Sequence, residues 1–417
     1  MPSSMNSALH RRAMLKLGAS TTTGLVLSAG AAAAQGLPGP TPVDTGKVQD
    51  GKVVFPPWRG EADSPGSPPP APLPPEQRVG FAVVGLGRLS LEELLPAFAE
   101  SGQARVTALV SGSPEKMAAV ARQYGIPPGS CYSYADFDRV RENPQVQAVY
   151  VVLPNAMHRE YVERAAAAGK HVLCEKPLAT SAADARAMVD ACAKAGVRLM
   201  VAYRIQYQPH HLRVRQFVKD GTFGRIVAFT AGNVQTVAAD ATRQWRHKRA
   251  QAGGGALPDI GLYCLNTARF VTGQEPVEVF AHTYSPPGDP RYADVEETVN
   301  FMLRFPSGLV AQCVSSYGAR EDKWQRLQME KATIDMPNAY DYRGQRLIIG
   351  QRQGDDKANN EVVLPPKNQF TAEIDHFAQC LRTGQAPRTP GEEGVRDHVI
   401  MEAIYRSAAS GQAVKLG

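Results

Sequence analysis

The chain predicts an α/β protein: a doubly wound parallel sheet, followed by an α+β domain with one large, open, mostly antiparallel sheet. Three observations carry this. Short apolar runs alternate with helical repeats over residues 79–202, the pattern of strands joined by crossover helices and buried on both faces. The first run, Val79-Gly80-Phe81-Ala82-Val83-Val84, ends abruptly at Gly85-Leu86-Gly87 and gives way to helical spacing. Past Tyr203 the rhythm changes to consecutive strands separated by short turns, which pair antiparallel.

Residues 1–34 read as an export signal rather than part of the fold. Arg11-Arg12 is followed by Leu15 and Lys16, a twin-arginine pattern, and then by a weakly apolar stretch. Ala32-Ala33-Ala34 supplies the small residues that a signal peptidase cuts beside. A retained anchor fits less well, because the stretch is short and rich in Gly, Ser and Thr. The pattern predicts a periplasmic protein, exported already folded. Removing this segment lowers the formal charge from +6 to +3, since it holds Arg11, Arg12 and Lys16 and no acid. With no dense basic run besides, neither nucleic acid nor, once the signal is gone, a membrane is an expected partner.

Residues 35–77 hold 12 of the 32 prolines. That density excludes a helix or central strand and leaves an extended arm or a disordered linker, composition favouring the linker. Val53, Val54, Phe55 and Trp58 are apolar enough that part of it should dock. The six cysteines lie far apart without metal-ligand spacing, so buried free thiols are expected even in an oxidising compartment.

The glycine turn is the first place where chemistry is legible. Gly85 and Gly87 supply a tight turn and bare backbone, letting a pyrophosphate approach a helix N-terminus. The turn follows a strand, opens a helix over 89–100 and closes on a second strand over 106–110, the setting that a dinucleotide fingerprint of the Rossmann fold requires. Gly85, Leu86, Gly87 and Arg88 are therefore expected cofactor contacts. Ser90 replaces the third glycine of the motif, so helix and strand should approach less closely. Where an NAD enzyme places an acid on the ribose, this chain has Ser111-Gly112-Ser113, with Lys116 and Arg88 nearby. A missing carboxylate and two cations suit a 2′-phosphate, hence NADP; otherwise the two are ordinary solvated charges.

Further helices are expected over 114–124, 159–168 and 181–195, and strands over 146–153, 171–174 and 198–202. Pro154, Asn155, His158, Glu175 and Lys176 follow two of these strands, at the carboxyl edge where ligands bind. They complete the expected cofactor contacts, and Lys176 is placed to touch substrate as well. His158 and the His210-His211 pair lack partners at metal-ligand spacing, so no metal is expected and a structural role for His158 stands beside the cofactor one.

Tyr203, Arg204 and Tyr207 open the second domain and should line the cleft. A helix over 210–219 precedes strands over 226–233, 277–285, 297–305 and 309–316, the last two joined by a Ser307-Gly308 turn. Helices over 370–383 and 392–410 end the chain. Between the strands over 226–233 and 277–285, Gly253-Gly254-Gly255 reads as a flexible loop feeding a helix with Pro258 in its first turn. Asp259 and Tyr263 are four apart and share a helix face; the plainer readings are a dipole-serving acid and a half-buried aromatic.

Together GLGRLS, LPNAMH, HVLCEKP, AYR, GGGALPDIGLYCLN and NQFTAEIDHFA resemble the glucose–fructose oxidoreductase/inositol dehydrogenase (Gfo/Idh/MocA) family, from about residue 78 to the end. The resemblance implies a Rossmann domain over 78–202 and a substrate domain over 203–417 whose open sheet joins subunits into a dimer or tetramer. It implies that Lys176 touches substrate and cofactor. The family's helix usually carries aspartate and then histidine four residues on; Asp259 matches, whereas Tyr263 stands in the histidine position. That replacement resembles the family's glucose–fructose oxidoreductase branch and leaves the general base between Tyr263 and Tyr203. The branch's arm wraps a neighbouring subunit over the adenine end, which reverses the compositional preference and implies an ordered arm over 35–77.

The expected activity is then NADP-dependent oxidation of an aldose to its lactone, coupled to reduction of a second carbonyl sugar by the same bound cofactor. A tyrosine is a poor base near neutrality unless a cation favours its ionised form, and Lys176 is the expected cation. Two rivals are an NAD-dependent glycoside hydrolase of the same family and a redox-sensing NADP-binding protein. The second should lack a proton acceptor, which Lys176, Asp259 and Tyr263 argue against.

Overall fold

The computed structural model describes residues 47–50, 52–54, 71–238 and 240–417. The export segment and most of the proline-rich stretch, Phe55 and Trp58 included, lie outside the described residues. Within that stretch Lys47–Gln49 (β1) and Lys52–Val54 (β2) pair antiparallel, with Asp50 at φ 50° in the turn. Residues 71–77 dock on the first domain: the Leu73 N–H donates to the Gly102 carbonyl at 2.9 Å, and the Arg78 guanidinium returns to the Leu73 carbonyl at 2.8 Å.

The first domain is the expected doubly wound sheet. Val79–Val84 (β3), Ala104–Val110 (β4), Cys131–Tyr132 (β5), Ala148–Val151 (β6), His171–Glu175 (β7) and Leu199–Ala202 (β8) form one sheet in the order β5-β4-β3-β6-β7-β8. Every pairing is parallel. All six residues of β3 are buried, as they must be with helices on both faces. The strand order reverses between β3 and β6, which opens a crevice beyond their carboxyl ends. Gly85 and Pro154 therefore meet there.

Ser90 stands where the motif has its third glycine. It is fully buried, and its hydroxyl donates to the Gly85 carbonyl at 2.6 Å. The chain makes one wide π turn over Ser90–Leu94 before the α-helix Leu95–Glu100; the extra backbone gives the side chain room, and its hydroxyl ties the helix to the glycine turn.

The second sheet has nine strands: the expected Ile226–Thr236 (β9), Glu278–Tyr284 (β10), Thr298–Arg304 (β11) and Val310–Ser316 (β12), and five more. These are Gly318–Met329 (β13), Thr333–Pro337 (β14), Ile348–Gln353 (β15), Asp356–Glu361 (β16) and Val414–Lys415 (β17). The order is β16-β15-β14-β13-β9-β12-β11-β10-β17. All neighbours are antiparallel except β9 and β12, because β9 enters the sheet between strands that come later in the chain. One face packs on the helices Leu262–Thr272 and Gly391–Ser410. The helix Gln369–Thr383 returns to the first domain, where Phe377 meets Phe81 at 6.2 Å between ring centroids.

Candidate active site

One cleft of about 1010 Å³ runs from the glycine turn to the second sheet. At its first end Gly85 has φ +96°, and a Cβ there would stand 2.2 Å from the Val152 carbonyl oxygen, so no other residue fits. Gly87 faces open space, with no heavy atom within 4 Å of where its Cβ would be. A side chain would fill that cradle. Bare backbone, a helix start and free space together fit a dinucleotide pyrophosphate. Arg88 is exposed and lies 3.4 Å from Glu92. Ser111 is buried, and its hydroxyl accepts the Ser113 N–H at 3.2 Å. Ser113 caps the helix Pro114–Tyr124 by accepting the Lys116 N–H at 3.4 Å. Lys116 is exposed, and Leu86, Ser111, Lys116 and Tyr134 all line this end.

At the other end Lys176, Asp259 and Tyr263 converge. The Lys176 ammonium donates to the Asp259 backbone carbonyl at 2.7 Å, stands 3.9 Å from the Asp259 carboxylate, and sits 4.6 Å from the Tyr263 ring centroid. Sequence reasoning named Lys176 as the cation for that tyrosine. The structure adds a second, Arg204, whose guanidinium lies 4.7 Å from the same centroid. Arg204 is buried and fixed by the Gln369 side chain at 2.7 Å and the Tyr340 carbonyl at 2.7 Å.

Asp259 has two further partners that the sequence did not reveal. The Tyr317 hydroxyl donates to its carboxylate at 2.8 Å, and Arg246 approaches at 3.4 Å. Burial alone would raise the Asp259 pKa, but Arg246, Lys176 and the Tyr317 hydrogen bond together hold it below the ordinary value. It is therefore an anion shared between two cations. Asp259 lies in a second π turn, Leu257–Gly261, which runs directly into the helix Leu262–Thr272 bearing Tyr263. The first π turn of the described chain follows directly on Leu89, which lines the cleft, and the second contributes Asp259 and Ile260 to it.

Glu175 reaches the cleft edge and accepts from the Tyr150 hydroxyl at 2.8 Å. Burial raises its pKa. Pro154 and Asn155 line the cleft, though the Asn155 amide nitrogen is committed to the Ala252 carbonyl at 2.9 Å.

Four expectations fail. Tyr203 does not line the cleft: it is buried, and burial and then the nearby Asp397 carboxylate push its pKa far up, leaving it no route to a substrate proton. Tyr207 turns away too, its hydroxyl 3.0 Å from that of Thr389. His158 is fully buried behind the cleft, its ring nitrogens 2.8 Å from the Leu153 carbonyl and 3.0 Å from that of Pro177. It braces the turn that presents Lys176 and does not reach a cofactor. The triple glycine is no loose loop either. Cβ atoms at Gly254 and Gly255 would stand 1.9 Å from the Tyr405 hydroxyl oxygen and 2.1 Å from the Glu296 carbonyl oxygen, so close packing demands glycine there.

Comparison with known proteins places this architecture. Residues 79–203 match the oxidoreductase family with an NAD-binding Rossmann fold (GFO_IDH_MocA), and residues 211–335 match the GFO/IDH/MocA C-terminal domain. The chain is 31% identical over 342 residues to the D-xylose 1-dehydrogenase [NADP(+)] of Haloarcula marismortui, covering 81% of this chain and 93% of that one. The crystal structure of aldose–aldose oxidoreductase from Caulobacter crescentus, complexed with glycerol, is 44% identical and superposes with a TM-score of 0.78. It covers 81% of this chain and 100% of that one. A levoglucosan dehydrogenase, in complex with NADH and levoglucosan, shares the fold at 24% identity and a TM-score of 0.72, over 81% of this chain and 99% of that one. With the glycine turn, the Lys176 turn and the Asp259 helix meeting in one cleft, the chain belongs to the GFO/IDH/MocA family of oxidoreductases.

Proposed function

We propose that this chain is an NADP-dependent oxidoreductase that oxidises an aldose to its lactone and reduces a second carbonyl sugar without exchanging its cofactor. One observation carries the reading: Tyr263, at the meeting point of the two domains, has Lys176 and Arg204 within 5 Å of its ring and the Asp259 anion one helical turn away. The sugar class and NADP are supported by the relatives, which include an NADP(+) xylose dehydrogenase and an aldose–aldose oxidoreductase. NADP is further supported by Ser111 and Lys116 standing where an NAD enzyme would carry an acid.

A nicotinamide cofactor held at the Gly85–Gly87 turn would supply hydride acceptance and return. The chain supplies the rest. Tyr263 takes the proton of the anomeric hydroxyl, with Lys176 and Arg204 held 4.6 and 4.7 Å from its ring centroid. Asp259, already ionised, accepts a hydrogen bond from the sugar while Tyr317 and Arg246 keep its carboxylate aimed. In the reducing half Tyr263 gives its proton back to the carbonyl oxygen of the second sugar.

The twin-arginine pattern and the proline-rich stretch extend this reading. Export to the periplasm would place the enzyme where lost NADP is not replaced, so retention and internal recycling follow. The outer face of the second sheet carries Phe280, Met302, Val314 and Trp324, none of them buried in the isolated chain. That apolar strip suits a homo-oligomer, and the arm over 35–77 would then reach a neighbouring subunit.

Mixing purified protein with aldose alone tests the cycle. It should give one burst of reduced-nicotinamide absorbance, about one per chain, reversed by a second carbonyl sugar and surviving gel filtration. Cofactor that washes out, with activity then needing added NADP, would make this an ordinary sugar dehydrogenase.

A further inference from the structure

Asp259 and Tyr263 hang from one helix start, and the structure shows what holds it. The first N–H groups of a helix have no partner within the helix. Here three successive ones, on Gly255, Ala256 and Leu257, all go to a single residue. The Glu296 carboxylate accepts the Gly255 N–H through Oε2 at 3.0 Å and the Leu257 N–H through Oε1 at 2.9 Å. Its own backbone carbonyl accepts the Ala256 N–H at 3.3 Å.

We propose that Glu296 is a positioning residue for the reaction, aiming Asp259 and Tyr263 by gripping the start of the helix that carries them. The proposal rests on the role given above to Tyr263. Glu296 is 5% exposed, so its carboxylate needs compensation. Besides the two N–H groups it receives the Tyr405 hydroxyl at 2.8 Å, and the Arg249 guanidinium stands 3.8 Å away. Hydrogen bonds of this kind to a buried anion are short and strong.

Geometry makes the grip specific. Gly255 lies so near that any side chain would strike the Glu296 carbonyl, and Gly254 leaves room for the Tyr405 ring that steadies the carboxylate. The far side of the same turn is held by Lys176, which takes the Asp259 backbone carbonyl at 2.7 Å. The π turn Leu257–Gly261 is thus fastened at its N–H groups by Glu296 and at a carbonyl by Lys176. A π turn holds one residue more than an α turn. Were it to relax, the chain before and after it would turn by about 100° relative to one another, taking Asp259 out of its alignment with Lys176 and Tyr263. Glu296 touches neither substrate nor cofactor site; it acts only through the helix.

Glu296→Gln replaces one acceptor oxygen with an amide nitrogen that cannot accept an N–H. Turnover should fall about 10- to 100-fold, with the sugar KM within about threefold and NADP(H) affinity, read by nucleotide fluorescence, unchanged. In a Tyr263→Phe background the same substitution should cost less than about twofold, because with the proton acceptor gone the alignment of Asp259 to it no longer matters. Tyr405→Phe, which keeps the carboxylate and withdraws one donor, should lower turnover about 3- to 10-fold with the same dependence on Tyr263. It answers the question if Glu296→Gln does not fold. Unaltered turnover in both variants, or losses that simply multiply with that of Tyr263→Phe, would overturn the proposal. Wild-type turnover in Tyr263→Phe alone would instead overturn the role of Tyr263. The same cycle run against Asp259→Asn would then decide for Glu296: losses that fail to multiply uphold it, and losses that multiply overturn it.

Discussion

Replacing Tyr263 with phenylalanine removes one oxygen and leaves what holds the ring. The ring stacks on Tyr340 at 5.9 Å between centroids, and Lys176 and Arg204 lie 4.6 and 4.7 Å from its centre. At 9% exposure the ring is part of the core, and phenylalanine preserves its volume and its attraction for the two cations. Stability should therefore change by less than about 1 kcal/mol. The loss falls on proton transfer, for which a positioned acid–base group contributes roughly 100- to 10,000-fold, or about 3–5 kcal/mol of barrier. The assay is stopped-flow reduction of bound nicotinamide by aldose, run beside a thermal melt and a cofactor titration. Turnover should fall by at least about 100-fold while melting temperature and cofactor content hold. Turnover within about fivefold of wild type would refute the reasoning, as would a loss that tracks unfolding.

Three other predictions follow from the same geometry. Lys116→Ala should weaken NADP binding by about tenfold and leave NAD nearly unchanged, because an exposed lysine gives only the lower end of a charge-assisted contact, about 1.5 kcal/mol; equal loss for both nucleotides in a binding titration would make Lys116 structural. Acid should destabilise the fold below neutrality. Burial holds His211 at about 3 and His398 at about 4, below an unfolded value of about 6.5, so their contribution is complete above that value and is lost as pH falls toward the folded ones. At pH 5 the loss is about 2 kcal/mol for each. Burial lifts Asp397 to about 6, which works in the opposite sense and returns about 1 kcal/mol over the same interval. A melting temperature as high at pH 5 as at pH 7 would contradict this balance. Finally, an Arg11→Lys, Arg12→Lys double variant should stay in the cytoplasm, whereas the exported wild-type protein should begin near Gln35; unchanged export would remove the twin-arginine reading.

Features governed by a few neighbouring residues were legible in the chain itself. Gly85 and Gly87 announce their role because the restraint is steric and local: one needs a positive φ, the other an empty place for a ligand. Ser111 and Lys116 sit at a strand end and the following helix start, and Asp259 and Tyr263 share a face because four residues make about one turn. The parallel sheet was readable because burial on both faces writes continuous apolar runs. By contrast β13 and β16, which read Gly-Ala-Arg-Glu-Asp-Lys and Asp-Lys-Ala-Asn-Asn-Glu in their exposed parts, owe their extended form to pairing, β13 with the distant β9 and β16 with β15 across a tight turn.

Direction and long-range company came only with packing. Tyr203 and Arg204 are adjacent, yet the end of β8 sends one into the core and the other to the Tyr263 ring, a choice made by what lies on each side of the sheet. His158 stands at a ligand edge in sequence but under it in space, because its helix packs behind the Lys176 turn. Arg246 reaches Asp259 across 13 residues and Tyr317 across 58. Glu296 grips a helix that starts about forty residues before it, Leu257 being 39 away. No periodicity records such contacts. They exist because burying Asp259 and Glu296 obliges the fold to bring each carboxylate its hydrogen-bond donors from wherever in the chain they lie.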